Sequence, residues 1–373
     1  MGKVSLVKVL LISGIYPPDI GGPATYMPKL ARQLQAQGHH VSFFVLKSSQ
    51  NELISGDWKV FSEDRDQFLP KRVFNTIFRI WNISRNYDVL VANGLYFETG
   101  FALRFLKKNS VAKIVGDPVW ERARNRAKTT LGLSDFNRNR LTFSDRIQRF
   151  LFKTSLNQFN SIFTPSVELS ELVTLWGIDV MPEVIPNGVV VPKLTEETKI
   201  FDVVSVARLV KWKNIDKLIM ACGELNLRLA IVGTGPQEAE LRDISERFGS
   251  LVEFTGELIS DQVNKVLEQS RIFVLLSQYE GLSFSLLEAM AHGLPVIVSN
   301  ARGNMDVVTH GVDGLIVSPA NELELKSAIL QILQNQNIAK ELGLNSRKLV
   351  ETKFNENLQI NLVISLLEKI NAR

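Results

Sequence analysis

The chain of 373 residues contains a single cysteine, Cys222, and four histidines, His39, His40, His292 and His310. One thiol excludes an internal disulfide framework and a cysteine metal cage, and it fits a reducing compartment. The histidines have no H-E-x-x-H or similar ligand spacing, so no catalytic metal is expected. No window approaches the roughly 20 uninterrupted apolar residues of a membrane-crossing helix. The apolar run Val9–Ile12 is also too short for a secretory core. Charge of one sign is scarce: 43 Lys and Arg against 39 Asp and Glu leave +4, too little to imply nucleic acid. The absence of any repeat of about 20–50 residues excludes a solenoid. A cytoplasmic protein is expected, or one resting peripherally on the inner face of the cell membrane.

What is present is an ordinary globular balance, 45% hydrophobic and 22% charged, with length enough for two or three domains. Short β-branched runs alternate with helix-length amphipathic segments. Strands are expected near 7–13, 41–46, 88–92, 112–115, 161–164 and 183–185. The pattern then restarts near 202–207, 228–232, 252–255, 272–276, 295–299 and 314–317. Strands without polar alternation, separated by helices, imply parallel sheets covered on both faces. The fold class is therefore α/β, with two facing Rossmann-like doubly wound domains. Residues 1–187 would form the acceptor-side domain, 188–200 a linker rich in turn residues, and 201–373 the donor-binding domain. Ligands of such sheets bind beyond the carboxyl ends of the strands, which predicts a substrate in the cleft between the domains.

Three groups of residues carry possible chemistry. Gly21-Gly22-Pro23 lies between the first strand and a helix whose apolar residues Tyr26, Leu30 and Leu34 repeat at helical spacing. It is either an anion site at a helix start or a tight turn that needs glycine. Arg208 and Lys213 leave the first strand of the second domain; they suit a diphosphate, or belong to a solvated basic loop. Glu280 and Glu288 flank the start of a helix near Ser283, and eight residues span roughly 12 Å at helical rise. That length fits a nucleotide-sugar, with a sugar at Glu280, a diphosphate on the N–H groups of Leu282, Ser283, Phe284 and Ser285, and a ribose at Glu288. The plainer reading is a helix-dipole charge at Glu280 and an exposed helical glutamate at Glu288.

In order along the chain, Tyr16–Tyr26, Ile185-Pro-Asn-Gly188, Arg208 to Lys213, Val232-Gly-Thr-Gly-Pro236, Glu280 to Pro295 and Gly311–Pro319 resemble the retaining glycosyltransferases of the GT-B fold, family four (group 1). The resemblance implies that Glu280 contacts the donor sugar and Glu288 the ribose. Arg208 and Lys213 would neutralise the diphosphate, and Gly22 would approach it from the first domain. It implies transfer with retention, without a metal or cofactor, from a UDP-sugar or GDP-sugar to a glycan or polyprenyl-linked acceptor in cell-surface polysaccharide or glycolipid assembly. A C-terminal helix over 354–370 is expected to cross back to the first domain. Rival readings are a nucleotide-sugar epimerase or hydrolase of the same fold, and a non-catalytic nucleotide-sugar-binding subunit.

The chain departs from the family pattern at Asn214, Val190 and Asp306, where glycine, aspartate and glutamate are usual, and at Asp117, where a histidine is common. Asp117 is either a polar contact to the substrates or an Asp-Pro turn ending a strand. Asp64-Arg65-Asp66 is set aside as a solvated loop with no strand-end placement. Gly233-Thr-Gly235 is set aside because a dinucleotide fingerprint needs a third glycine where Glu238 stands. The stripe Phe74, Ile77, Phe78 and Trp81 is assigned to core packing. Residues 121–153 carry nine cations (Arg122, Arg124, Arg126, Lys128, Arg138, Arg140, Arg146, Arg149, Lys153) against three acids (Glu121, Asp135, Asp145), a net of +6. They form either a solvated face or a contact for anionic lipid or a polyprenyl-diphosphate.

Overall fold

The structure, a computed structural model, describes residues 6–19, 21–48, 53, 56–126, 128–139, 141–194 and 197–371. Internal packing divides the chain into Met1–Ile185 with Ile360–Arg373, and Pro186–Gln359.

The first unit opens β1 (Lys8–Ser13), α1 (Gly22–Ala36), β2 (His40–Lys47), β3 (Lys59–Asp64), α2 (Leu69–Ser84), β4 (Val89–Asn93) and α3 (Tyr96–Leu103). It continues β5 (Asn109–Lys113), α4 (Pro118–Asn125), α5 (Leu133–Arg138), α6 (Phe143–Leu156), β6 (Ser161–Thr164), α7 (Val167–Leu175) and β7 (Glu183–Val184). Its sheet runs β3-β2-β1-β4-β5-β6-β7, with the described pairs parallel. Strand order reverses between β1 and β4, the switch point where such sheets bind ligands.

The second unit comprises β8 (Phe201–Val206), α8 (Ile215–Glu224), β9 (Arg228–Val232), α9 (Glu238–Arg247), β10 (Leu251–Gly256), α10 (Ser260–Glu268) and β11 (Ser270–Leu275). Then follow α11 (Phe284–Ala291), β12 (Val296–Ser299), α12 (Arg302–Met305), β13 (Leu315–Val317), α13 (Glu322–Gln334), α14 (Gln336–Lys353) and α15 (Glu356–Asn371). The parallel order β10-β9-β8-β11-β12-β13 reverses between β8 and β11. Successive strand residues feed two cores: Val204, Phe273 and Val298 join α11 and Val350 of α14 on one face. Val203, Val274 and Ile297 join α8 and α13 on the other. Burial on both faces explains the unbroken apolar strands seen in the sequence. The final helix α15 is divided, since from Ile360 onward it packs with the first unit.

Two expectations fail here. Asp64-Arg65-Asp66 does stand at a strand end, because Lys59–Asp64 is β3 and pairs in register with β2. Its half-charged sequence hid it: an edge strand pairs on one side only and tolerates polar residues. The stripe on α2 is not core, since Phe74 is 70% and Phe78 55% exposed. The helix buries Thr76, Ile80 and Ser84 instead. The basic segment 121–153 is spread over α4, α5 and α6, and Arg140 lies outside the described residues.

Candidate functional site

The carboxyl ends of β8 and β11, neighbours at the switch point, gather most of the expected residues of the second unit. Beyond β8 the chain makes a single 3-10 turn, Lys211–Lys213. Asn214 follows with φ of 50°, a left-handed conformation open chiefly to glycine and asparagine. The departure from the usual glycine thus preserves the turn. Asn214 also does what glycine could not: its Nδ2 donates to the Leu276 carbonyl at 2.7 Å. Its Oδ1 accepts from Gln278 Nε2 at 3.3 Å, and Gln278 N–H donates to the Trp212 carbonyl at 2.7 Å. The loops after β8 and β11 are therefore tied together.

Gly233 and Gly235, after β9, support the same loop. A Cβ would stand 2.2 Å from the Ala207 carbonyl at Gly233 and 2.3 Å from the Leu209 carbonyl at Gly235. Close backbone packing, and not dinucleotide chemistry, requires both glycines.

Lys213 and Glu280 meet in an ion pair, with side chains only 15% and 11% exposed. The same carboxylate oxygen of Glu280 accepts from Ser277 Oγ at 2.5 Å. Beneath it runs a buried relay that sequence reasoning missed. Ser299 Oγ donates to the Ser277 carbonyl, and Asn304 Nδ2 donates to Ser299 Oγ at 2.9 Å. Ser277, Ser299 and Asn304 are all fully buried. Buried hydrogen bonds of this kind hold one geometry, because each lost partner strands a further buried polar group; Asn304 Oδ1 already lacks a partner among the described residues. Gly303 completes the support, with its backbone against the Glu280 carbonyl.

Arg208 is exposed, and its guanidinium makes no hydrogen bond or ion pair among the described residues. The α11 helix begins at Phe284 with Ser283 as its N-cap, Ser283 Oγ accepting from Leu286 N–H at 3.3 Å. Ser285 Oγ donates to the Val206 carbonyl at 2.9 Å, anchoring the helix start to the end of β8. The N–H groups of Leu282, Ser283 and Ser285 make no hydrogen bond among the described residues. Asn187, in the Ile185–Gly188 motif, donates to the Leu282 carbonyl at 2.9 Å and holds this loop from behind. Glu288 is half-buried one turn further along α11. One cation, one ion pair and donors at a helix start can bind an anion and stabilise added charge. Among the described residues no group of three His, Cys, Asp or Glu could hold a metal ion.

The residues of the first unit sit at the carboxyl edge of its own sheet. Gly21, φ 151°, is the N-cap of α1 and Gly22 its first residue, one earlier than Pro23 suggested. Arg65 steadies this loop: it pairs with Asp19 and donates to the carbonyls of Gly14 at 3.1 Å and Leu46 at 3.2 Å. Asp117 is fully buried as the N-cap of α4. Its Oδ1 accepts from Val119 and Trp120 N–H at 2.9 and 3.3 Å. Its Oδ2 accepts from Asn137 at 2.9 Å and Arg149 at 2.5 Å. With its acceptor positions filled and no exposed surface, this carboxylate organises α4, α5 and α6, as an Asp-Pro turn would.

Comparison with known proteins identifies the family and the fold. Residues 191–349 match Glycosyl transferases group 1, and residues 20–191 match Glycosyltransferase Family 4. An uncharacterized glycosyltransferase of Methanocaldococcus jannaschii is 23% identical, over 94% of this chain and 95% of that one. An amylovoran biosynthesis glycosyltransferase of Erwinia amylovora is 28% identical over 45% of this chain and 44% of its own length. The crystal structure of Anabaena HepE in complex with UDP and glucose superposes with a TM-score of 0.78 at 17% identity, covering 97% of this chain and all of that one. That likeness extends over both parallel sheets.

Proposed function

This chain belongs to the group 1 glycosyltransferases of family four and has their GT-B fold, and from that premise we propose that it moves a sugar from a nucleotide-diphosphate donor, with retention, to a glycan or lipid-linked acceptor. The observation that carries the reading is the grouping of Arg208, the Lys213–Glu280 pair and the start of α11 at one switch point. The proposed donor is a UDP-sugar or GDP-sugar; UDP and glucose in the Anabaena HepE complex support that choice. The proposed setting is cell-surface polysaccharide or glycolipid assembly at the inner face of the membrane, supported by the amylovoran relative.

In this reading Arg208 and Lys213 face the diphosphate, with Leu282, Ser283 and Ser285 offering N–H groups at the start of α11, where Phe284 is the first helical residue. Glu280 contacts the sugar and Glu288 the ribose, while Gly21 and Gly22 let backbone approach the phosphates. As the bond from the anomeric carbon to the phosphate oxygen breaks, charge grows on the leaving diphosphate. Fixed cations and helix donors stabilise that charge more than the ground state, which lowers the barrier. The acceptor oxygen bonds to the same face of the carbon and passes its proton to the departing phosphate oxygen. The charge is balanced by side chains, without a metal ion. Asp117 is a positioning residue, holding Arg149 and capping α4.

A thermal-shift panel with UDP, GDP, ADP and their sugars tests donor binding; a ligand at 100 times its dissociation constant stabilises by about 2.7 kcal/mol. Transfer from the stabilising donor should disappear in Glu280→Ala. No stabilisation by any nucleotide, or undiminished transfer by that variant, overturns the proposal.

A further inference from the structure

Three neighbouring helices of the first unit expose most of their phenylalanines. Helix α3 packs between α2 and α6. Toward the protein α2 turns Thr76, Ile80 and Ser84, α3 turns Glu98, Thr99, Gly100, Ala102 and Leu103, and α6 turns Asp145, Phe152, Ser155 and Leu156. The α3–α6 contact is close enough that a Cβ on Gly100 would stand 2.4 Å from the Ser155 carbonyl. Apart from buried Phe152, most phenylalanines point the other way. Phe74 and Phe78 of α2 are exposed, as are Phe101 of α3, Phe105 just after it at 65%, and Phe143 and Phe150 of α6 at 80% and 66%. The rings of Phe97, Phe101 and Phe105 follow one another at 6.4 and 5.7 Å. Inner faces rich in small and polar residues, with five exposed phenylalanines on the helices' outer side, depart from the usual pattern of a surface helix.

The charges on this face have one sign. Lys71, Arg85, Arg104, Lys107 and Arg146 are exposed, and Arg85 lies 3.7 Å from the Trp81 ring centroid. The only acids over 69–85, 96–108 and 143–156 are Glu98 and Asp145, both buried. Aromatic rings interleaved with cations, without an exposed acid, match the boundary of an anionic bilayer: the rings enter the headgroup region and the cations meet lipid phosphates. A second copy of the chain fits poorly, because it would set cations against cations. No helix among the described residues is long and apolar enough to cross a membrane, so the contact lies in the plane of the surface.

We infer that the outer face of α2, α3 and α6 is a docking surface for anionic membrane. This deepens the membrane setting of the proposed function and rests on a face distinct from the donor residues. The test is cosedimentation with phosphatidylcholine vesicles, with and without phosphatidylglycerol, at low and high salt. The chain should bind only the anionic vesicles, less so in high salt. The variant F74S/F78S/F150S should bind them about a hundredfold more weakly, and R104Q/K107Q/R146Q should lose the salt-sensitive part. The nucleotide-induced thermal shift should persist in both variants, which separates failure of docking from failure of donor binding. No binding by the unmodified chain overturns the inference. So does undiminished binding by the Phe variant, or a concentration-dependent dimer that the Phe variant loses while vesicles go unbound. Should the Phe variant not fold, undiminished binding by the charge variant overturns it alone.

Discussion

Replacing Gly303 by alanine separates local propensity from site geometry. Gly303 lies in α12, and alanine in a helix is favoured over glycine by about 1 kcal/mol. Judged on propensity alone, the substitution stabilises. The surroundings predict otherwise. A Cβ at this position would stand 1.9 Å from the Glu280 carbonyl oxygen and 2.8 Å from its carbon, whereas real Cβ contacts essentially never fall below 3.0 Å. Both partners are backbone, so either α12 or the Glu280 loop must move by about 1 Å. The loop is anchored through Ser277 and the buried Ser299–Asn304 relay, so the movement misaims the carboxylate instead of dissipating. A misplacement of about 1 Å costs on the order of a hundredfold in rate when the displaced group orients the reacting centre. Steady-state transfer with the donor identified by thermal shift, compared between the chain and Gly303→Ala, reads this directly. The expected result is a kcat about a hundredfold lower with the variant still folded and still stabilised by nucleotide. A kcat within twofold of the unmodified chain would refute the positioning role given to this contact.

Other perturbations follow from the same geometry. Lys213→Ala leaves the Glu280 carboxylate largely buried and without its cation, which should cost about 3 kcal/mol and, for a unit of this size, lower the Tm by roughly 6–12 °C; a Tm within a degree would count against the pair. At Asn214 the left-handed backbone should make Asn214→Ala less stable than Asn214→Gly by about 1 kcal/mol, although both lose the bond to Leu276; urea unfolding in the opposite order would contradict this. His292 accounts for part of the acid limb. Burial, with Arg347 and Lys199 adding positive charge nearby, pushes its pKa down to about 4 from 6.5. The unfolded chain therefore binds the proton more readily. Stability from this group is complete above pH 6.5, falls as the pH drops toward 4, and amounts to at most about 3 kcal/mol. His292→Gln should flatten the dependence of Tm on pH across that window, and an unchanged slope would argue against it.

Much of the architecture was legible because parallel strands buried on both faces announce themselves as unbroken β-branched runs. β3 escaped because Lys59–Asp64 is an edge strand with three charged residues, Lys59 and Asp64 exposed and Glu63 buried against Arg79. The α2 stripe shows the other limit of pattern reading. Periodicity of 3.6 marks two faces of a helix but not which one meets the sheet, and here Thr76 and Ser84 go inward while Phe74 and Phe78 go out. In the site, Arg208, Lys213, Glu280 and the start of α11 could be proposed because each stands close to a strand end or helix start in sequence. The Ser277–Ser299–Asn304 relay could not, since its members come from separate segments and are ordinary residue types. Asp117 was open between two roles; its full burial and its bonds to Val119, Trp120, Asn137 and Arg149 assign it a structural one.

The central claim is that Arg208 serves the diphosphate of a donor. Calorimetric titration of the nucleoside diphosphate that stabilises the chain, and of its parent nucleoside, into the chain and Arg208→Ala tests it most directly. A lost charge-assisted contact of about 1.5–3 kcal/mol should weaken diphosphate binding tenfold or more while leaving nucleoside binding unchanged. Equal affinity of both proteins for the diphosphate would contradict the account.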